Sequence, residues 1–374
     1  MRENEQLKQY EIAQIKNIKI HGRTAKNRQP LTLFWTGSGL EFNAKGSELW
    51  IEAEADYELY DSWISILING EPVSRLMITA GRHWICLFRG MNREVVKNVR
   101  IVKEVQAMNG DPGCRLQFHA VRFDGELLPV EERPYKIEFI GDSITSGEGS
   151  IGAKQEEDWV PMWFSAVENY AAIAAKELNA DYRIVSQSGW GVLSAWDNNP
   201  HSNIPSIYEK VCGSLAGESN RRLGALEEND FSVWQPDIIV VNLGTNDNGA
   251  FYNPPWKDES TGKVQKQRLN EDGSYNEEDL RTFEMAVEHF LVKLRKYNPK
   301  ARIVWAYGMM GIPLMPAIYR AVDEYRKNYS DRKVSVFQLP NMTEETVGAR
   351  QHPGKTAHRR AAAELVDYLK QYLD

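Results

Sequence analysis

Apolar and polar positions along the chain follow two different rhythms, and the change between them falls near residue 130. From about Ile18 to Arg122, short runs rich in β-branched and aromatic residues recur: LTLFW, LEFN, ELWIEAEA, SWISILI, VSRLMI, VRIVKEV and RLQFHAVRF. Successive strand residues face opposite sides of a sheet, and such side chains suit that half-buried surface, so each run predicts a strand. Asn69-Gly70-Glu71-Pro72 reads as the hairpin loop between SWISILI and VSRLMI, and further glycines punctuate the other runs. Many short strands with no helix between them predict an all-β sandwich or jelly roll over residues 1–130. The acidic segment FDGELLPVEERP, interrupted by two prolines, then reads as a linker.

Beyond it the apolar runs lengthen and lose their alternation, as in YKIEFIG, YRIVSQ, DIIVVNLG, RIVWAYG and KVSVFQL. Parallel strands buried on both faces read this way. Helical spacing fills the gaps: ENYAAIAAKEL, EEDLRTFEMAVEHFLVKLRKY, PAIYRAVDEYRKNY, and GKTAHRRAAAELVDYLKQYL with Ala361, Leu365, Tyr368, Leu369 and Tyr372 on one face. The alternation predicts an α/β class domain over residues 131–374, a three-layer α/β/α sheet of about five parallel strands with right-handed crossovers. Ligands on such sheets bind at the carboxyl ends of the strands. Two long insertions, Trp196 to Trp234 and Asn248 to Tyr275, follow strand ends. Insertions of that length are commonly functional, so they are expected as rims or lids over a site.

Composition narrows the function classes. The formal net charge of -7, without any basic cluster, argues against nucleic acid as a partner, because neutralising phosphates needs grouped Lys and Arg. No run of about 18 apolar residues occurs, so no membrane span is expected. The lead MRENEQLKQYEIAQIKNI has no apolar stretch of the kind that directs export. Cys86, Cys114 and Cys212 are widely spaced with no CxxC, which supports neither a disulfide framework nor a cysteine zinc site. The expectation is a cytoplasmic protein, its oligomeric state open and a homo-oligomer included.

Four strand ends carry the candidate chemistry: Gly141-Asp142-Ser143-Ile144, Ser188-Gly189-Trp190-Gly191, Gly244-Thr245-Asn246-Asp247, and His352-Pro353 before the last helix. Acyl transfer needs a hydroxyl nucleophile, a base within hydrogen-bond reach and donors aimed at the developing oxyanion. These blocks supply each role once. Ser143 would attack and His352 would take its proton. The oxyanion donors would be the N–H of Ser143, the N–H of Gly189 and the side-chain amide of Asn246. Ser143 has a plainer alternative as a helix N-cap, and His352 has a competitor in His358, inside the last helix and better suited to packing. Asp142 and Asp247 follow Gly or Asn at strand-to-loop turns and read first as caps of backbone amides, with Asp142 also a substrate-contact candidate. Trp159, Trp163, Trp190, Trp196 and Trp256 cluster around the loops that should surround the site, where an indole offers a flat face to a ligand; Trp190 and Trp256 are the chosen substrate-contact candidates. His352, His358 and Asp247 lack the spacing of a zinc motif, and serine chemistry needs no ion, so neither a metal nor a cofactor is expected.

GDSI, SG, GTND and a terminal HP in this order resemble the SGNH, or GDSL-type, hydrolase superfamily from Lys136 to the C-terminus. The resemblance implies a flavodoxin-like α/β/α fold and serine esterase chemistry with the roles given above. In one respect the chain departs from it: three residues before the histidine most members carry an aspartate that orients the ring, and here that residue is Ala349. With a β-sandwich in front, the departure resembles carbohydrate esterase family 2, whose jelly-roll domain precedes the SGNH domain and whose members can work with a Ser-His dyad. That resemblance implies removal of acetyl groups from sugar hydroxyls, with acetylated xylo- or manno-oligosaccharides as substrates. A backbone carbonyl near Arg350 could orient His352, and so could Glu344 or Glu345 folding back. Two rivals stay open: a lipid or thioester hydrolase of the same superfamily, and an inactive carbohydrate-binding protein.

Overall fold

The computed structural model describes residues 7–373, which fall into two compact units. The first comprises the chain through Glu132 together with Val160–Val167 and Glu209–Asn229. Its two antiparallel sheets enclose one apolar core. One sheet contains Lys8–Glu11, Arg115–Phe123, Glu48–Asp56 and Gly81–Arg89 in that spatial order, with Leu31–Thr32 beside Arg115–Phe123. The other contains Glu126–Leu128, Gly39–Lys45, Val96–Lys103, Ser62–Ile68 and Glu71–Ile78, with Lys19–His21 beside Gly39–Lys45. Period-two patterning decides which side chains are inside: along Glu48–Asp56, Leu49, Ile51, Ala53 and Ala55 are buried while the residues between them are not. The sandwich expected from the sequence is therefore present.

Part of the first long insertion belongs to this unit. The Trp35 indole donates to the Val211 carbonyl at 2.7 Å, and the Arg23 guanidinium donates to the Lys210 carbonyl at 3.0 Å. Arg75 likewise donates to the carbonyls of Met162 and Phe164, both at 3.0 Å. These donors give irregular backbone the partners that a sheet would otherwise supply.

The second unit is built on five parallel strands, numbered within this unit: β1 (Tyr135–Gly141), β2 (Ala180–Ser186), β3 (Ile238–Asn242), β4 (Arg302–Gly308) and β5 (Val334–Leu339). Their spatial order is β2-β1-β3-β4-β5. The helices that matter are α1 (Ser143–Ser146), α2 (Tyr170–Glu177), α3 (Thr245–Tyr252), α4 (Glu277–Tyr297), α5 (Met315–Tyr329) and α6 (Lys355–Leu369). Ile137, Phe139, Ile238, Val240, Val304 and Ala306 share a core with Tyr170 and Ala174 of α2 and Ala361 and Leu365 of α6. The alternate residues face the other way, where Trp305 of β4 meets Phe290 of α4 edge-on, centroids 6.4 Å apart. Both sheet faces are thus covered, which explains the unbroken apolar runs. On the outer side α4 and α5 are joined by Arg281 on Glu324 and Arg320 on Glu284, each at 2.7 Å.

The strand order creates the site. The chain leaves β1 toward β2 on one side and β3 on the other, so the loops after these strands part and open a crevice at their carboxyl ends. Gly141 stands in register with Ser186 of β2 and with Asn242 of β3, which brings the three following loops to one level.

Candidate active site

Strand β1 ends at a glycine for a steric reason: a Cβ on Gly141 would lie 2.7 Å from Thr145 Cβ and 2.9 Å from the Asn242 carbonyl oxygen. Asp142 then caps the one-turn helix α1, its Oδ1 accepting from the Ile144 N–H at 3.0 Å. The cap is therefore Asp142, and Ser143 is left with its hydroxyl free for other work. Gly147 closes the turn at φ 79°, in the left-handed region, and the Glu148 N–H returns to the Ser143 carbonyl at 3.0 Å.

His352 Nε2 lies 2.9 Å from Ser143 Oγ, and its Nδ1 lies 2.6 Å from the Arg350 carbonyl oxygen. A carbonyl only accepts, so Nδ1 carries the proton and Nε2 is left to accept from the serine hydroxyl. Neither of the carboxylate alternatives is used: Glu344 pairs with Lys154 at 3.1 Å, and Glu345 accepts from Thr343 Oγ1 at 3.1 Å. The carbonyl reaches the ring because Arg350 and Gln351 both sit in the left-handed region, at φ 60° and 53°. Such residues cost about 1–3 kcal/mol each and persist only where the surroundings impose them. Here the Arg350 N–H donates to the Glu156 carbonyl at 2.7 Å, its Nη1 donates to the Glu157 carbonyl at 2.9 Å, and Gln351 Nε2 donates to Glu157 Oε1 at 2.7 Å. Gly149 completes the seat, since a Cβ there would press on the Ala349 carbonyl and come within 2.7 Å of His352 Cβ.

The loops after β2 and β3 meet at Asn246, whose Nδ2 donates to Asp142 Oδ2 and to the Trp190 carbonyl, both at 3.1 Å. Gly189 adopts φ 81°, and its carbonyl accepts from the Trp196 N–H at 3.0 Å. Asp247 is wholly buried and accepts from the N–H groups of Val192 at 2.9 Å, Leu193 at 2.8 Å and Ser194 at 3.4 Å, stapling the β2 loop to α3. Desolvation pushes its carboxyl up to about 6 against those three donors. Asp142 is also wholly buried and is pushed up to about 7, first by desolvation, with the charges of Asp247 and Glu148 adding to it. Both of its oxygens are engaged within the protein, Oδ1 by the Ile144 N–H and Oδ2 by the Asn246 amide.

Trp190 is nearly buried and offers the site its carbonyl, whereas Trp196, beside Gly189, is 51% exposed. Trp256 stands apart from this network. It opens the short hairpin Trp256–Lys257 and Val264–Gln265, and its ring meets His201 edge-on at 5.4 Å. His358 is wholly buried, accepts at Nδ1 from the Tyr170 N–H at 3.1 Å and stacks on the Tyr170 ring. Desolvation, with His352 adding to it, pushes His358 down to about 3, which keeps it neutral.

Two residues of the network are absent from the candidates drawn from the sequence. Glu148, only 2% exposed, accepts from Ser188 Oγ at 2.7 Å and places Oε1 at 3.5 Å from Arg350 Nε and 3.9 Å from His352 Nε2. Asn198, buried at φ 68°, donates to the Ala250 and Pro254 carbonyls at 2.8 and 3.0 Å and accepts from the Gln267 N–H at 2.8 Å, tying the two insertions together. The Asn-Asn-Pro turn was its one visible hint, because Asn tolerates the left-handed region. Among the described residues, no three His, Cys, Asp or Glu side chains gather as a metal site would require.

A serine held by a histidine at a sheet switch point defines a class, and sequence comparison agrees. The profile of the GDSL-like Lipase/Acylhydrolase family matches residues 139–337, and the chain belongs to that family. It also has the fold of the family two carbohydrate esterases. Among solved structures, the acetyl xylan esterase Est2A from the rumen bacterium Butyrivibrio proteoclasticus is 49% identical, with a TM-score of 0.97 over 98% of this chain and 100% of that one. An acetylxylan esterase / glucomannan deacetylase of Cellvibrio japonicus is 25% identical over 96% of this chain and 89% of its own length. The cellulase/esterase CelE of Acetivibrio thermocellus is 26% identical over 91% of this chain, which spans only 37% of that protein.

Proposed function

We propose that this chain is a carbohydrate acetyl esterase that removes O-acetyl groups from xylo- and manno-oligosaccharides through an acyl-enzyme on Ser143. The observation that carries the reading is the double anchoring of His352, by Ser143 Oγ at 2.9 Å and by the Arg350 carbonyl at 2.6 Å. The serine O–H proton passes to Nε2 as Oγ bonds to the acetyl carbon. The oxyanion so formed accepts from the N–H groups of Ser143 and Gly189 and from the Asn246 amide, which turns part of its donation away from Asp142. The bond between the acetyl carbon and the sugar oxygen then breaks as the carbonyl re-forms, and that oxygen takes the proton from Nε2. Water repeats the sequence on the acyl-enzyme, releasing acetate and restoring the serine.

Acetyl transfer from a sugar is supported by the acetylxylan esterase and glucomannan deacetylase activities named for the relatives. The exposed Trp196 beside Gly189 offers a flat face for a sugar ring, and Trp256 opens the hairpin of the other insertion. Three unpaired thiols suit a cytoplasmic location, and short imported substrates would follow from it. Cell fractionation tests the location; recovery outside the cytoplasm overturns it.

The test of function is acetate release from acetylated xylan, glucomannan and their oligosaccharides, alongside turnover of an octanoyl ester. Rapid acetate release that Ser143→Ala abolishes is expected. A preference for the octanoyl ester, or full activity in Ser143→Ala, would overturn the reading.

A further inference from the structure

The aspartate that is missing before His352 would have placed a negative charge at Nδ1. This molecule holds a buried carboxylate on the other side of the same ring. We propose that Glu148 is a positioning residue for the hydrolysis, pairing with the Arg350 guanidinium to hold the turn that orients His352 and facing its charge toward Nε2. The inference rests on the Ser143–His352 reading above and goes beyond it.

Three observations support the assignment. Glu148 is fastened to the nucleophile's own turn, because its N–H donates to the Ser143 carbonyl. Its two oxygens are shared out: Oε2 accepts from Ser188, while Oε1 is 3.5 Å from Arg350 Nε and 3.9 Å from His352 Nε2. Arg350 is also the residue whose strained backbone presents the carbonyl to Nδ1, so one ion pair links both sides of the imidazole. A buried charge persists only when paired, which gives the contact its grip on the turn.

The chemistry follows from where the proton goes. When the Ser143 O–H bond breaks, the proton becomes an N–H on Nε2 and the ring becomes a cation, with Oε1 3.9 Å away. An opposite charge at that range favours the charged form of the ring. The other groups facing His352 are the Arg350 guanidinium, which opposes that effect, and His358, which stays neutral and adds no charge.

Glu148→Gln preserves shape and an acceptor for Ser188 while removing the charge. Its kcat should fall about tenfold with KM little changed, a split that general loosening of the fold would not give. Glu148→Asp keeps the charge and should recover part of the lost kcat. Arg350→Met removes the other half of the ion pair and should lower kcat by a similar factor, with the double variant no worse than either single one. An unchanged kcat in Glu148→Gln, or losses that multiply in the double variant, would overturn the proposal. If Glu148→Gln does not fold, kcat and KM of Arg350→Met decide the matter alone. Wild-type activity in Ser143→Ala would sink the functional reading itself, whereas its loss with an unchanged Glu148→Gln enzyme sinks only this inference.

Discussion

Ser143 and His352 meet at 2.9 Å, yet the chain brings each of them there by different means. Ser143 stands between a regular strand ending in a glycine and a capped turn, local devices all written between Tyr135 and Gly147. His352 hangs from a turn with two residues in the left-handed region, held by carbonyls and side chains from 156–157 and by the bare Cα of Gly149. One partner is positioned by secondary structure and the other by imposed strain. The lesson is that the serine end should tolerate change in its surroundings better than the histidine end.

The largest effect expected is at the serine itself. Ser143→Ala should lower kcat on the order of 10⁵-fold with the fold intact, read from acetate release and a melting curve. Asn246→Ala should cost about 10²–10³-fold in kcat by removing one oxyanion donor, with KM nearly unchanged. Gly149→Ala attacks the histidine end without touching either partner. Its Cβ must displace His352, and a misplacement of about 1 Å costs about 10²-fold, so a wild-type rate would contradict the strained-seat account.

The smallest effect separates the two histidines. His358 has a folded pKa of about 3 against an ordinary 6.5, so between those values the unfolded chain binds the extra proton. Its contribution to stability is complete above pH 6.5 and is lost on acidification at about 1 kcal/mol per pH unit. Asp142 and Asp247, raised to about 7 and 6, act in the opposite sense, binding protons in the folded state and adding stability as pH falls toward 3.8. Replacing His358 with Gln should therefore flatten the acid loss and leave the carboxylate contribution, measured as the melting difference between variant and wild type from pH 7 to 4. A constant difference would mean that His358 does not fold neutral.

Much of the architecture was legible without coordinates, and for a physical reason. Strand alternation, unbroken apolar runs and helical spacing are local consequences of which faces must be buried, so Glu48–Asp56 and Ile238–Asn242 revealed one-faced and two-faced strands by pattern alone. The order of the blocks around Ser143, Gly189, Asn246 and His352 likewise survives in the sequence, because each block needs its particular side chains or a glycine. What the chain could not announce is whatever depends on neighbours distant along it. The carbonyl that orients His352 belongs to a backbone group that every residue possesses, so nothing in the letters distinguishes Arg350 from Glu344 as its source. Glu148 reads as one more surface acid until Ser188 and Arg350 close around it. Trp196 and Trp190 are chemically identical, and only packing left one half in solvent and sank the other. Residues 209–229 joined the first unit through Trp35 and Arg23, partners nearly two hundred positions away. The sequence alone determined which groups could react, since that is a property of side chains. Tertiary structure decided which of them meet and in what charge environment, since burial and distance are properties of the folded whole.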